Sequence, residues 1–122
     1  MMSDYLTLSN SNELIRMAAE CIVYVSSDGN YSDICTCDGE KRTVTLQLWV
    51  VEEKIQQQLQ QGDLFVRIGK SLIINTRYLN YLNPSKRQII LSDNRTFKFD
   101  LSASKEALKQ LKDYLEQNME SK

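Results

Sequence analysis

The segment from Phe65 to Asn75, with the sequence FVRIGKSLIIN, interleaves strand-forming hydrophobic residues with cations and hydrogen-bonding side chains. Its two apolar groups flank Gly69 and predict two short strands around a tight bend, because glycine supplies the backbone freedom that a sharp reversal requires. Lys70 and Ser71 are therefore expected to lie in a turn, with side chains that reach outward. Together with Arg67, this turn could contact a phosphate or a base edge. The same pattern is also expected of a hairpin tip that is exposed to solvent and binds nothing.

Four residues of this segment carry a resemblance to a known family: Phe65, Arg67, Ser71 and Asn75, with a polar or basic pair before the serine and a β-branched run after it. Their order resembles the signature of the LytTR-type DNA-binding domain, the output module of many bacterial response regulators. The similarity extends from residues 22–31 (IVYVSSDGNY) through an amphipathic helix and a closing hairpin to a C-terminal helix. It implies a sequence-specific transcriptional regulator that inserts loops into successive major grooves of double-stranded DNA, probing paired direct repeats.

The resemblance implies DNA contacts from three places in the chain. The strand after the first hairpin supplies Asn30 and Tyr31, and the turn before the serine supplies Lys70, which could approach guanine acceptors. Tyr31 could donate its hydroxyl to a phosphate, or its ring could simply pack against the protein. At the entry to the last helix the family commonly carries an arginine, and Lys105 is the residue that could replace it. The family often has histidine or asparagine where this chain has Gly69, so its preferred DNA sequence should differ.

Further cations and motif residues complete the candidate DNA-binding set. Arg67 and Asn75 match the motif, but either could instead hold the turn through backbone hydrogen bonds. The remaining candidates would neutralise phosphates or merely keep the surface soluble, and they are Arg77, Lys86, Arg95 and Lys98, with Arg87 beside them.

Positive charge is concentrated in one part of an otherwise acidic chain. Residues 1–61 hold four Lys+Arg and nine Asp+Glu, whereas residues 62–122 hold eleven and seven. Between Phe65 and Lys98 there are seven cations and a single acid, Asp93. A local excess of this kind is expected of a nucleic-acid-binding face. The overall pI near 5.5 argues in the opposite direction.

The composition predicts one globular domain and excludes several functions. The 122 residues fit a single LytTR-like domain over 1–122, with no receiver domain in this chain. No apolar run approaches the length of a membrane span, and the N-terminus has no secretory signal, so a cytoplasmic location without membrane contact is expected. Histidine is absent, and the three cysteines have no zinc-type spacing. We therefore expect no enzyme, no metal and no cofactor. The cysteines are expected to be reduced packing residues, and a metal or redox role is the alternative.

The chain is predicted to be mostly β, with antiparallel strands and hairpins, one helix in mid-chain and one C-terminal helix. Asp28-Gly29 and Asp38-Gly39 are hairpin signals. The first helix is expected from Leu48 to Gln61 with Gly62 as its stop, and Trp49 is expected to pack over the sheet. Ser102 or Ser104 could cap the second helix. Besides the two strands of the opening segment, strands are predicted at 5–8, 13–17, 22–25, 30–36, 43–48, 78–82, 88–91 and 96–101.

A second function is compatible with the same fold. The acidic N-terminal half suits a protein-interaction module in which DNA contacts have been reduced or lost at Gly69 and Ala103. Under either function, a signalling protein or a second copy of the chain on DNA is an expected partner.

Overall fold

The computed structural model describes residues 4–119 and divides the chain into two compact units, Met1–Arg77 and Tyr78–Lys122. The expected fold, mostly antiparallel β with two helices, is confirmed. In the first unit the elements are β1 (Tyr5–Ser9), β2 (Leu14–Ala18), β3 (Ile22–Asp28), β4 (Tyr31–Thr36), β5 (Lys41–Val44), α1 (Leu48–Gln58), β6 (Phe65–Ile68) and β7 (Leu72–Asn75). In the second they are β8 (Leu79–Asn83), β9 (Gln88–Ser92), β10 (Lys98–Ser102) and α2 (Lys105–Met119).

The first unit contains two antiparallel sheets. Strands β1 and β2 form a hairpin, and the other strands form a five-stranded sheet in the order β5-β4-β3-β7-β6. The predicted meander of β3, β4 and β5 is confirmed. Both Asp-Gly signals lie at its turns, where Gly29 and Gly39 have φ of 65° and 86°. Glycine adopts this left-handed conformation without the steric cost that other residues meet.

The core of the first unit lies between the sheets and α1. Val51 and Ile55 of α1 are fully buried, as are Val25 and Ile34 of the central strands. Burying each such side chain stabilises the fold by about 1.5–3 kcal/mol. The predicted apolar stripe of the helix therefore faces the core.

The predicted ends of α1 and β5 are wrong. Helix α1 ends at Gln58, because Leu59 is extended and buried and because the carboxylate of Asp4 accepts the next two backbone N–H groups at 3.0 and 3.1 Å. Gly62 begins a short 3-10 turn, where an added Cβ would lie 3.1 Å from the carbonyl oxygen of Ile55. It permits close packing against α1 and does not stop the helix. Strand β5 ends at Val44, four residues before the predicted end.

The second unit is a three-stranded antiparallel sheet in the order β10-β9-β8, followed by α2. Among the residues of this unit whose burial is described, those that are buried are Ile89, Leu91, Leu108 and Leu111. Along β10, exposed and half-buried side chains alternate, which confirms the predicted half-buried strand. Within residues 4–119, no helix is both long enough and apolar enough to cross a membrane.

Candidate nucleic-acid interface

The turn between β6 and β7 presents an exposed lysine. Ile68 pairs with Leu72, so the three residues between them reverse the chain. Gly69 has φ of 60°, a left-handed conformation that uses the backbone freedom of glycine. Lys70 and Ser71 are both exposed. The turn predicted from the sequence is thus confirmed, and Lys70 is accessible to a ligand.

The β3–β4 turn lies at the same end of the five-stranded sheet. Strand β3 pairs with β7 from Tyr24 to Ser26, and the amide of Ser27 donates to the carbonyl oxygen of Ser71 at 2.9 Å. Two residues beyond Ser27, the chain reverses at Gly29 and Asn30. The fold therefore brings Asn30 and Tyr31 to the sheet end that carries Lys70.

The start of α1 joins this end through a chain of side-chain hydrogen bonds. The hydroxyl of the buried Ser32 donates to the carbonyl oxygen of Leu46 at 2.7 Å and fixes the segment that leads into the helix. Gln47 donates from Nε2 to Oδ1 of Asn30 at 3.4 Å, and its Oε1 accepts from Nε1 of Trp49 at 2.9 Å. The Trp49 side chain is 56% exposed, and Tyr31 is 48% exposed. Polar and aromatic groups therefore form one continuous exposed surface here.

Trp49 and Gln47 are the residues of this surface that the sequence analysis missed. Trp49 was expected to pack over the sheet, and that prediction is wrong. The missed signal is the periodicity of the helix, because Leu48, Val51 and Ile55 define the buried stripe and position 49 falls outside it.

The guanidinium of Arg67 is fixed by two contacts within the first unit. Its Nη1 lies 2.9 Å from Oε1 of Glu52 on α1, and its Nη2 donates to the carbonyl oxygen of Lys70 at 3.1 Å. The two contacts tie the Lys70 turn to the helix. They give Arg67 the structural role that was one of its two predicted alternatives, while direct contact of Arg67 with DNA stays a prediction.

Asn75 also has a structural role. Its side chain is 1% exposed, its Nδ2 donates to the carbonyl oxygen of Ile22 at 2.9 Å, and its Oδ1 accepts from the amide of Arg77 at 3.0 Å. The side chain therefore presents almost no surface to a duplex, and a DNA contact by Asn75 stays a prediction. Arg77, which follows it, is exposed.

The cations of the second unit lie at opposite ends of its sheet. Gln88 pairs with Ser102, and the amide of Ala103 donates to the carbonyl oxygen of Arg87 at 3.4 Å. The β8–β9 turn, with the exposed Lys86 and Arg87, therefore shares an end with Lys105 at the start of α2. Arg95 and Lys98 lie at the other end, roughly 14 Å away along a five-residue strand. The second unit therefore presents two separate groups of cations, one at each end of its sheet.

Asp93, the single acid between Phe65 and Lys98, forms hydrogen bonds within the β9–β10 turn. Its Oδ1 accepts backbone N–H groups from Arg95, Thr96 and Phe97 at 2.9, 2.7 and 3.1 Å, and its Oδ2 accepts from the Thr96 hydroxyl. The Thr96 hydroxyl, followed by these amides, holds the pKa of the Asp93 carboxyl far below its ordinary value. These hydrogen bonds to Asp93 fix the shape of the turn that carries Arg95.

Within residues 4–119, no group of three or more His, Cys, Asp or Glu side chains is placed to hold a metal ion. The fold and the exposed groups define a β-rich domain whose turns carry cations, with exposed aromatic residues at the start of β4 and of α1.

The model of the LytTR DNA-binding domain family matches residues 12–116, and the chain belongs to this family. Among solved structures, the LytTr DNA-binding domain of a response regulator from Bacillus cereus has a similar fold, with a TM-score of 0.61 at 17% sequence identity. The match covers 94% of this chain and 98% of that domain. A comparison with curated protein sequences gave no significant match.

Proposed function

We propose that this chain binds specific DNA sequences in order to regulate transcription, and that it contacts the major groove through the loops between its strands. The observation that carries the proposal is the exposed Lys70 turn, placed beside Asn30 and Tyr31 at one end of the five-stranded sheet. Strand-connecting loops must do this work because neither helix has a basic exposed face, whereas a recognition helix needs one.

The residues at this end would divide the work. The Lys70 ammonium suits the O6 and N7 acceptors of guanine. Tyr31 and Asn30 have donors that suit phosphate oxygens, and Trp49 adds an exposed ring beside them. Arg67 would act as a positioning residue, since it holds the carbonyl oxygen of Lys70.

In the second unit, Lys86 and Lys105 would neutralise phosphates near the entry to α2. Arg95, Lys98 and Arg77 would make further phosphate contacts from other places on the surface.

The decisive experiment begins with in vitro selection of duplexes from a random pool, followed by fluorescence anisotropy titrations at several salt concentrations. Lys70→Ala should weaken binding to the selected duplex by roughly 5- to 150-fold, equivalent to about 1–3 kcal/mol for one base contact, and should relax the preference at one base pair. Binding to unrelated duplexes should weaken much less.

Lys41→Ala is the matched control. Lys41 is an exposed lysine on β5 of the same sheet, where it pairs with Cys35 at the end away from Lys70. The Lys41→Ala variant should bind DNA with the same affinity as the wild type. The proposal fails if no duplex is enriched, if nothing binds at low salt, or if the two variants lose equal affinity.

We further propose that two copies bind paired direct repeats, either alone or with a signalling protein, in the cytoplasm. Inserting about half a helical turn, roughly 5 bp, between the repeats should abolish cooperative binding while leaving binding to each single repeat unchanged. Equal affinity at all spacings would refute the paired arrangement.

A further inference from the structure

Cys21 and Cys37 face each other across two neighbouring strands of the first unit. Cys21 ends a short 3-10 turn, Ala19–Cys21, that leads into β3, and Cys37 directly follows β4. The adjacent pair of residues, Ile22 and Thr36, are partners in the antiparallel ladder. The amide of Cys37 donates to the carbonyl oxygen of Cys21 at 2.9 Å, which extends the ladder by one more pair.

This arrangement meets the distance requirement of a disulfide. Opposed residues in an antiparallel ladder have Cα atoms about 4.5–5.5 Å apart. Disulfide-linked residues have Cα separations of about 4.4–6.8 Å. The two thiols are free and lie close enough to hydrogen-bond to each other. A backbone hydrogen bond of 2.9 Å between these two residues therefore puts them in the range of separations that a disulfide spans.

The pair is also accessible. Cys21 and Cys37 are both half-buried, and both line an open cleft of about 440 Å³. Cys35, by contrast, is 3% exposed. An oxidant of low molecular weight can therefore enter the cleft and reach the first two sulfur atoms, but not the third.

We propose that Cys21 and Cys37 form a reversible redox pair that closes to an intramolecular disulfide by exchange with a low-molecular-weight disulfide of the glutathione class. The thiolate of Cys37 attacks one sulfur of the oxidant, which releases one thiolate and leaves a mixed disulfide on Cys37. Cys21 then gives its proton to water and attacks the Cys37 sulfur, which releases the second thiol. The two protein thiols are oxidised by two electrons, and the oxidant is reduced to two thiols.

The environment of Cys21 sets the speed of this exchange. Burial, the Cys37 thiol and the nearby acids Glu20 and Asp38 raise the pKa of the Cys21 thiol to about 11. Since the thiolate is the attacking species, closure should be slow at neutral pH and should accelerate as the pH rises. The pair would respond to sustained oxidation.

The new bond would close a loop that contains β3, the β3–β4 turn and β4. Closing a loop of this length restricts the unfolded chain and stabilises the folded one. For a unit of this size, the thermal midpoint should rise by on the order of 10 °C.

The test uses the full chain, incubated with oxidised glutathione, quenched with acid, alkylated with N-ethylmaleimide and mapped by peptide mass spectrometry. We expect a cross-link between Cys21 and Cys37, fragment ions that place neither glutathione nor a cross-link on Cys35, and a raised thermal midpoint that dithiothreitol reverses. Cys35→Ser should form the same cross-link. Cys21→Ser and Cys37→Ser should stop at the single glutathione adduct.

The wild-type peptide map decides the question even where a variant fails to fold. Separate glutathione adducts on Cys21 and Cys37, a cross-link that involves Cys35, or no modification after prolonged incubation at pH 9 would overturn the proposal. DNA binding enters none of these measurements, so this proposal and the proposed function succeed or fail independently.

Discussion

Arg67 donates to both Glu52 and the carbonyl oxygen of Lys70, so a single side chain links α1 to the turn that presents the lysine. The side chains of this ion pair are 28% and 37% exposed, so water weakens the attraction between their charges. The arginine contributes chiefly by fixing the turn, since a guanidinium can hold two acceptors in a rigid geometry.

Arg67→Met and Glu52→Gln should both weaken specific DNA binding, by about fivefold for a loss near 1 kcal/mol, because each loosens the Lys70 turn. Anisotropy titration against the selected duplex measures this. A phosphate contact by Arg67 predicts the opposite for Glu52→Gln, since removing an acid near DNA would strengthen binding. Tighter binding by that variant would therefore exclude the positioning role.

The raised pKa of Cys21 has a consequence for stability at alkaline pH. Its ordinary value is 9.0 and its value in the folded chain is about 11, so the folded state retains a proton that the unfolded state loses. The free energy of unfolding should therefore decline from about pH 9 and level off above about pH 11. Urea unfolding at several pH values in a reducing buffer measures this free energy.

Cys21→Ser removes that proton linkage and should show a shallower decline over the same pH range. Burial also raises the pKa of Tyr24, so part of the decline should persist in the variant. Identical slopes for the variant and the wild type would show that the Cys21 thiol does not take part.

At the scale of elements, helix α2 begins with a side-chain cap. The sequence left Ser102 and Ser104 open, and the structure selects Ser104, whose hydroxyl oxygen accepts the amide of Ala107 at 3.1 Å. Ser104→Ala should lower the free energy of unfolding by about 1 kcal/mol, because the amide loses its partner. Ser102→Ala, an exposed change on β10, should cost less than half of that. Equal losses in urea unfolding would contradict the assignment.

The strands and turns could be predicted because local chemistry determines them. Asp-Gly pairs and Gly69 specify reversals, and alternating apolar residues specify half-buried strands. The end of α1 could not be predicted, because it depends on the carboxylate of Asp4, more than fifty residues earlier in the chain. The helical period contained the signal for the exposure of Trp49, although the prediction was wrong, whereas its hydrogen bond to Gln47 depends on how the helix starts.

The candidate site was predicted in part for the same reason. Lys70 could be placed in a turn from its neighbours in the sequence. Its position beside Asn30 and Tyr31 depends on the pairing of β3 with β7, which brings together segments forty residues apart. The structural roles of Arg67 and Asn75 likewise involve acceptors on distant segments, Glu52 and Ile22.

At the scale of the whole molecule, charge is divided between the two units. Residues 1–77 hold seven Lys+Arg and ten Asp+Glu, whereas residues 78–122 hold eight and six. Non-specific attraction to DNA should therefore come mainly from the second unit, and specificity mainly from the Lys70 end of the first. This division reconciles an acidic pI with a DNA-binding function.

A plot of log affinity against log salt concentration has a negative slope. The double variant Lys86→Ala/Lys105→Ala should reduce the magnitude of this slope by about 2, since each lysine would neutralise one phosphate. Arg95→Ala/Lys98→Ala is the control with the same change in charge at the other end of the sheet, and the magnitude of its slope should also fall, but by less than about 2, if the end near α2 is the one that faces the duplex. A larger fall for the control would assign the DNA-facing end to the β9–β10 turn.

Strand β5 is one of the two edge strands of the five-stranded sheet, and no strand within residues 4–119 pairs with its outer side. Such a side can recruit a strand from another molecule and start aggregation. Lys41, Arg42 and Thr43 are all exposed there, so two molecules that approached through β5 would bring like charges together. The cations of this short strand thereby protect the protein at high concentration, and aggregation should become more frequent when both are neutralised.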